Sequence, residues 1–332
     1  MAEQTLTYLA GDPDGNIVVK TSKRAVEALE VLVKVTHSGL CGTDVHDRTS
    51  ECGLGHEGVG LVEKIGLNVT SVKVGERVGW GPAGIAANVS QDIVSIAPSL
   101  AGKSMESLSK VLLETLWSSI KISYTISPMR LSPSMLDLCS ALITVYEALD
   151  VAGAKPSDRV GIVGLGGLGH MAVQYAKAMG CDPVVFSRSP AKKEDALKLG
   201  AKEFHLIPSS PEVGLEVTDG IHVLLLCGDR LPNFEQFMPV LARRATIVPL
   251  IIQGEPLVIP YMPFMLPGHG IIASTEASRR NHIDALTFAA RHNIRPWIQE
   301  FPMTRNGLAE ALDLLEQGRV KYRAVLTAGL NE

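Results

Sequence analysis

Two short runs near the N-terminus carry the side chains best suited to chemistry, Cys41-Gly-Thr43-Asp44-Val-His46 and Leu54-Gly-His56-Glu57-Gly58. A thiolate, an imidazole and neighbouring carboxylates form the donor set of a catalytic zinc that keeps one position open, with Asp44 or Glu57 available to support a ligand from behind. Thr43 offers a hydroxyl that could relay a proton. Taken singly, each residue also reads as packing, because buried cysteines and satisfied core histidines are common.

The second constellation is Gly164-Leu-Gly166-Gly167-Leu168-Gly169. It follows Arg159-Val-Gly-Ile-Val163, an apolar run suited to a buried parallel strand, and it opens a segment with Leu168, Met171, Ala172, Tyr175, Ala176 and Met179 at helical spacing before Gly180. Strand, glycine turn, helix and a second strand around Val184 make the dinucleotide fingerprint. Gly164 makes the tight turn, Gly166 admits a pyrophosphate and Gly169 lets the helix pack on the strand. The helix N-terminus offers free N–H groups to an anion. An NAD enzyme needs a carboxylate about 20 residues on. The sequence there is Ser187-Arg188-Ser189-Pro-Ala-Lys192-Lys193. Arg188 suits a ribose 2′-phosphate, and Lys192 or Lys193 adds charge, so NADPH is the expected cofactor; the bland reading is a solvated basic turn.

The elements that must position these residues change character along the chain. Residues 1 to about 128 read as mostly β, with strand-like runs at Asn16–Val19, Glu30–Val35, Gly58–Ile65 and Ile120–Ile126. Gly81 to Lys110 is a long excursion without periodicity, and Met105 to Leu116 could form a helix. From about Leu136, apolar strands at Val160, Val184, Ile221–Cys227, Ala245–Leu250 and Gly270–Ser274 alternate with helical segments, the pattern of a doubly wound parallel sheet. Helices are expected at Asn281–Arg291 and Asn306–Gln317, and a returning strand at Lys321–Leu326.

Composition narrows the classes. At 332 residues, 46% hydrophobic and 20% charged, the chain is ordinary for a globular protein with two cores. A net charge of −4 gives no basic field for nucleic acid, and no apolar run reaches the ~20 residues of a membrane span. Five scattered cysteines and an N-terminus without a leader pattern point to a reducing, cytoplasmic setting.

The runs Gly39–His46 and Gly55–Gly60, with Gly66, Val74-Gly-Glu-Arg-Val78, Thr144–Leu149 and the glycine turn, resemble the zinc-type medium-chain alcohol dehydrogenases over nearly the whole chain. The cinnamyl-alcohol-dehydrogenase-like branch and its fungal relatives are the most similar. The resemblance implies an α/β fold, a Rossmann domain at 140–276 and a GroES-like β-rich catalytic domain at 1–139, with 277–332 returning to the catalytic domain. It implies Cys41 and His56 as zinc ligands, Glu57 as an alternate ligand and Asp44 as the orienting partner of His56. Thr43 and His46 become a proton relay, Thr144 a nicotinamide neighbour and Arg323 a pyrophosphate contact. The family's third catalytic ligand is a cysteine four residues before the Thr of its T-V-Y motif; that position is Ser140 here, with Cys139 one place earlier, and Cys139 is the ligand expected. No cysteine lies between Cys52 and Cys139, so the family's structural zinc is not expected. The leading expectation is an NADPH-dependent, zinc-assisted reductase interconverting a carbonyl and its alcohol, acting as a homodimer on a small molecule. A zinc-independent reductase of an activated C=C or C=N bond and a non-catalytic NADPH-binding relative are the alternatives.

Overall fold

The computed structural model describes residues 3–80, 139–210, 212–274, 277 and 279–329; of residues 80, 139–142 and 279 the backbone alone is described. The excursion after Gly81, the helix at Met105–Leu116 and the strand at Ile120–Ile126 lie outside these residues. The chain divides into two units, Met1–Ser140 with Trp297–Glu332, and Ala141–Pro296. Among the described residues no helix is long and apolar enough to cross a membrane.

The first unit contains β1 (Gln4–Gly11), β2 (Ile17–Arg24), β3 (Val31–Leu40), the short helix α1 (Gly42–His46), β4 (Glu57–Ile65) and β5 (Arg77–Trp80). Its C-terminal part adds β12 (Ile298–Pro302), α8 (Arg305–Glu316) and β13 (Arg323–Thr327). β1 and β2 form an antiparallel ribbon, and a five-stranded sheet runs β12-β13-β3-β4-β5. The returning segment therefore inserts as a strand: β13 pairs antiparallel with β3, Ala324 opposite Leu40. On the other side of β3, Gly39 stands opposite Glu57. Thr304 caps α8 by accepting from the N–H of Gly307 at 3.1 Å, and the helix buries Leu308 and Leu312 with Leu40, Leu54, Phe301 and Leu326.

The second unit contains α2 (Cys139–Val151, from its third residue), β6 (Arg159–Val163), α3 (Gly169–Ala178), β7 (Asp182–Ser187), α4 (Lys193–Leu199) and β8 (Glu203–Leu206). It continues through β9 (Ile221–Leu226), α5 (Phe234–Phe237), β10 (Leu241–Pro249), α6 (Tyr261–Met265), β11 (Gly270–Ile271) and α7 (Arg279–His292). The sheet is parallel, in the order β11-β10-β9-β6-β7-β8, the doubly wound arrangement that alternating elements predict. The segment 277–296 packs in this unit, not with the returning segment to which the boundary at 277 would assign it. The reason is that α7 lies against α3: the buried Tyr175 hydroxyl donates to the carbonyl of Ala285 at 3.1 Å, and Gln174 to that of Arg295 at 2.9 Å.

Candidate active site

Three strand ends converge in the first unit. Cys41 follows the last residue of β3, His56 precedes the first residue of β4, and Arg323 opens β13, so the antiparallel register brings together residues far apart in the chain. Cys41 is also the N-cap of α1, a position normally held by Ser, Thr, Asp or Asn. Its Sγ accepts from the N–H of Thr43 at 3.4 Å, while Asp44 Oδ2 accepts from the N–H of Cys41 at 2.9 Å, which closes a capping box. Gly55, at φ +90°, turns the chain back into β4, and Ser38 Oγ lies 3.2 and 3.0 Å from the carbonyls of Gly55 and Glu57, holding the segment that carries His56.

Asp44 is the organiser. It is buried, and besides Cys41 it accepts from the N–H of Gly55 at 2.8 Å and from His56 Nδ1 at 3.1 Å. A proton on Nδ1 leaves Nε2 as the ring's coordinating atom. Nε2 faces Cys41 Sγ at 3.5 Å and Glu57 Oε1 at 3.5 Å. Burial opposes charge on His56, but Asp44 and Cys41 outweigh it and raise its pKa well above the ordinary imidazole value. Burial likewise would raise Glu57, yet Arg323 and His56 hold it down to about 2. Glu57 Oε2 is ion-paired with Arg323, and both side chains are buried. The ligand atoms of Cys41, His56 and Glu57 lie within 4.8 Å of one another, the one such cluster among the described residues. A thiolate, an imidazole steered by a carboxylate and a further carboxylate suit a zinc ion.

On α1, Thr43 is half-buried and His46 exposed, three residues apart and so on one face of the turn. Arg323 spends its guanidinium on Glu57, and its Nε makes no hydrogen bond among the described residues. Cys139 and Ser140 are the first residues of α2, and their side chains lie outside the described set. Thr144 is half-buried on the same helix.

In the second unit the glycine turn leaves β6 with Gly164 at φ +94°. A Cβ on Gly169 would lie 1.9 Å from the carbonyl oxygen of Gly164, so that contact excludes any larger residue, whereas one on Gly166 would meet open space. Leu168 is the N-cap of α3, and Gly167 precedes it in the turn. His170, fully buried, donates from Nδ1 to the carbonyl of Gly166 at 3.0 Å and so fixes the turn's shape. Ser187 ends β7 with its hydroxyl accepting from the N–H of Ser189 at 3.2 Å. Lys192 donates to the carbonyl of Leu165 at 2.8 Å, so its ammonium lies on the turn, and Arg188 forms an ion pair with Asp229.

Two family models match the chain. The model described as alcohol dehydrogenase GroES-like domain covers residues 27–103, and the one described as zinc-binding dehydrogenase covers 167–291. An alcohol dehydrogenase of Geobacillus stearothermophilus is 30% identical over 93% of this chain and 94% of its own length. The chain belongs to the zinc-binding alcohol dehydrogenase family. The NADP-dependent alcohol dehydrogenase 6 of Saccharomyces cerevisiae is 28% identical, over 90% of this chain and 88% of its own. A solved cinnamyl alcohol dehydrogenase of Sorghum bicolor shares the fold at a TM-score of 0.79 and 24% identity over the full length of both chains.

Sequence reasoning missed the Arg323 to Glu57 pair, the Ser38 clamp, the His170 bond to the turn and the Asp229 partner of Arg188. Asp229 alone had a local signal, an acid just past a strand end; the others depend on register or on a helix turning one polar residue inward.

Proposed function

We propose that this alcohol dehydrogenase is an NADPH-dependent reductase interconverting an aldehyde or ketone and its alcohol, with Cys41, His56, Glu57 and Cys139 as the zinc-holding set. The observation that carries the reading is the convergence of Cys41, His56 and Glu57 on one point with Asp44 behind His56. When bound, zinc supplies Lewis acidity to a carbonyl oxygen and the nicotinamide supplies hydride. The chain's own residues do the rest. Asp44 orients the imidazole, and the Glu57 to Arg323 pair keeps a carboxylate ionised in the interior. The Thr43 hydroxyl hands a proton to the substrate oxygen, and His46, exposed at the outer end of the same helix turn, restores it from solvent. Thr144 is the neighbour of the nicotinamide, and Arg323 the pyrophosphate contact that the resemblance implies.

NADPH is favoured because Arg188 stands where an NAD enzyme needs a carboxylate, and the glycine turn with Ser187 and Lys192 completes the nucleotide end. Steady-state rates on an aldehyde panel with NADPH and NADH, paired with elemental analysis, test the reading. The expected result is a higher kcat/KM with NADPH, one zinc per chain and loss of both metal and reduction in Cys41→Ser. Full reduction after thorough zinc removal would replace it with a zinc-independent reductase.

A further inference from the structure

Arg188 lies just beyond the C-terminal end of β7, and Asp229 three residues beyond that of β9. These two strands flank β6 on either side, and all three run parallel. Both residues therefore emerge at the edge of the sheet from which the Gly164 turn leaves. Neighbouring strands lie about 4.8 Å apart, so the ion pair reaches across roughly 10 Å and arches over the end of β6. Ligands of doubly wound sheets bind in the crevice outside the strand ends at this switch point. Asp229 thus stands at the mouth of the nucleotide crevice.

We propose that Asp229 is a specificity-determining residue that competes with the 2′-phosphate of NADPH for Arg188 and so limits the preference for the phosphorylated dinucleotide. The proposal rests on the reading of Arg188 given above. In the pair, the carboxylate occupies the guanidinium that the phosphate requires, and an incoming phosphate must displace it and then sit beside its negative charge. The neighbours already have bonds: Lys192 donates to the carbonyl of Leu165, and the Ser187 hydroxyl accepts from Ser189. Arg188 is 46% and Asp229 73% exposed, so the pair itself is weak and exchange with a phosphate is open. NADH carries no 2′-phosphate, needs no guanidinium there and meets less repulsion. The effect of Asp229 is therefore differential.

Asp229→Asn in the full-length protein tests this, with Kd for NADPH and NADH measured by fluorescence titration at fixed ionic strength. Removing one negative charge beside a doubly charged phosphate in a water-like dielectric corresponds to roughly tenfold in Kd. NADPH should bind about tenfold tighter and NADH within twofold of the unaltered protein, and in an Arg188→Ala background, where there is no guanidinium to compete for, Asp229→Asn should give a smaller gain. If Arg188→Ala weakens NADPH while Asp229→Asn changes neither dinucleotide, Asp229 has no such role and the cofactor reading stands. If Arg188→Ala leaves NADPH binding unchanged, the cofactor reading falls, and this proposal with it.

Discussion

Replacing Glu57 by Gln tests the buried pair on which the first unit's site is built. Glu57 is 2% and Arg323 4% exposed, and the substitution keeps the volume while leaving the guanidinium in the interior without its counter-charge. Removing one partner of a buried ion pair costs about 3 to 5 kcal/mol. Proton linkage gives a comparable figure. Burial would raise the Glu57 carboxyl, but Arg323 and His56 hold it at about 2 against an ordinary 4.5. That difference corresponds to about 3 kcal/mol. Because the folded-state pKa is depressed, this stability is fully present above pH 4.5 and is lost as pH falls toward 2. Urea unfolding of the metal-free protein, followed by tryptophan fluorescence, reads it, since Trp297 packs against Tyr322 beside Arg323 with ring centroids 5.9 Å apart. At pH 7 Glu57→Gln should lose about 3 kcal/mol, and its stability should fall less steeply below pH 4.5 than that of the unaltered protein. A second change, Arg323→Met, should recover most of the loss. A loss under about 1 kcal/mol, or a double variant no more stable than the single one, would refute the reasoning.

Other outcomes follow from the same geometry. Asp44→Asn turns an amide donor toward the N–H groups that Asp44 now accepts, and zinc affinity in chelator competition should fall about 10- to 100-fold. Cys139→Ser should remove metal and carbonyl reduction together while Ser140→Ala leaves both largely intact, because a neutral hydroxyl is a poor zinc ligand; elemental analysis and a rate assay decide between them. We expect a homodimer: β11 is an edge strand, and Tyr261, Met262 and Leu266 before it are 71%, 50% and 66% exposed. Sedimentation at micromolar concentration should give twice the chain mass, and a single-chain species would end that expectation.

What was legible in the sequence was what is local. The glycine turn, its strand and its helix are contiguous, and each glycine's task follows from its spacing, as the positive φ of Gly164 and the close approach at Gly169 bear out. The Cys41 and His56 runs were legible as one zinc donor set from residue type and from the resemblance, but how they meet was not, because that depends on the pairing of Gly39 with Glu57. Arg323 arrives from 266 residues beyond Glu57, and no local pattern announces that meeting. The helix α1 escaped notice because a cysteine caps it. β1 and β12 were missed too: β1 does alternate Thr5 and Thr7 with Leu6 and Tyr8, a strand pattern that was legible, whereas β12 is five residues long and ends in proline.

X-ray absorption at the zinc edge, on protein purified without chelator, tests the central claim most directly, because it reads the donor atoms. One zinc per chain with sulfur and nitrogen or oxygen in its shell, losing sulfur in Cys41→Ser and imidazole scattering in His56→Ala, is the result predicted from the clustering of Cys41, His56 and Glu57. A metal-free protein with full carbonyl reductase activity, or a zinc whose shell is unchanged in both variants, would contradict it.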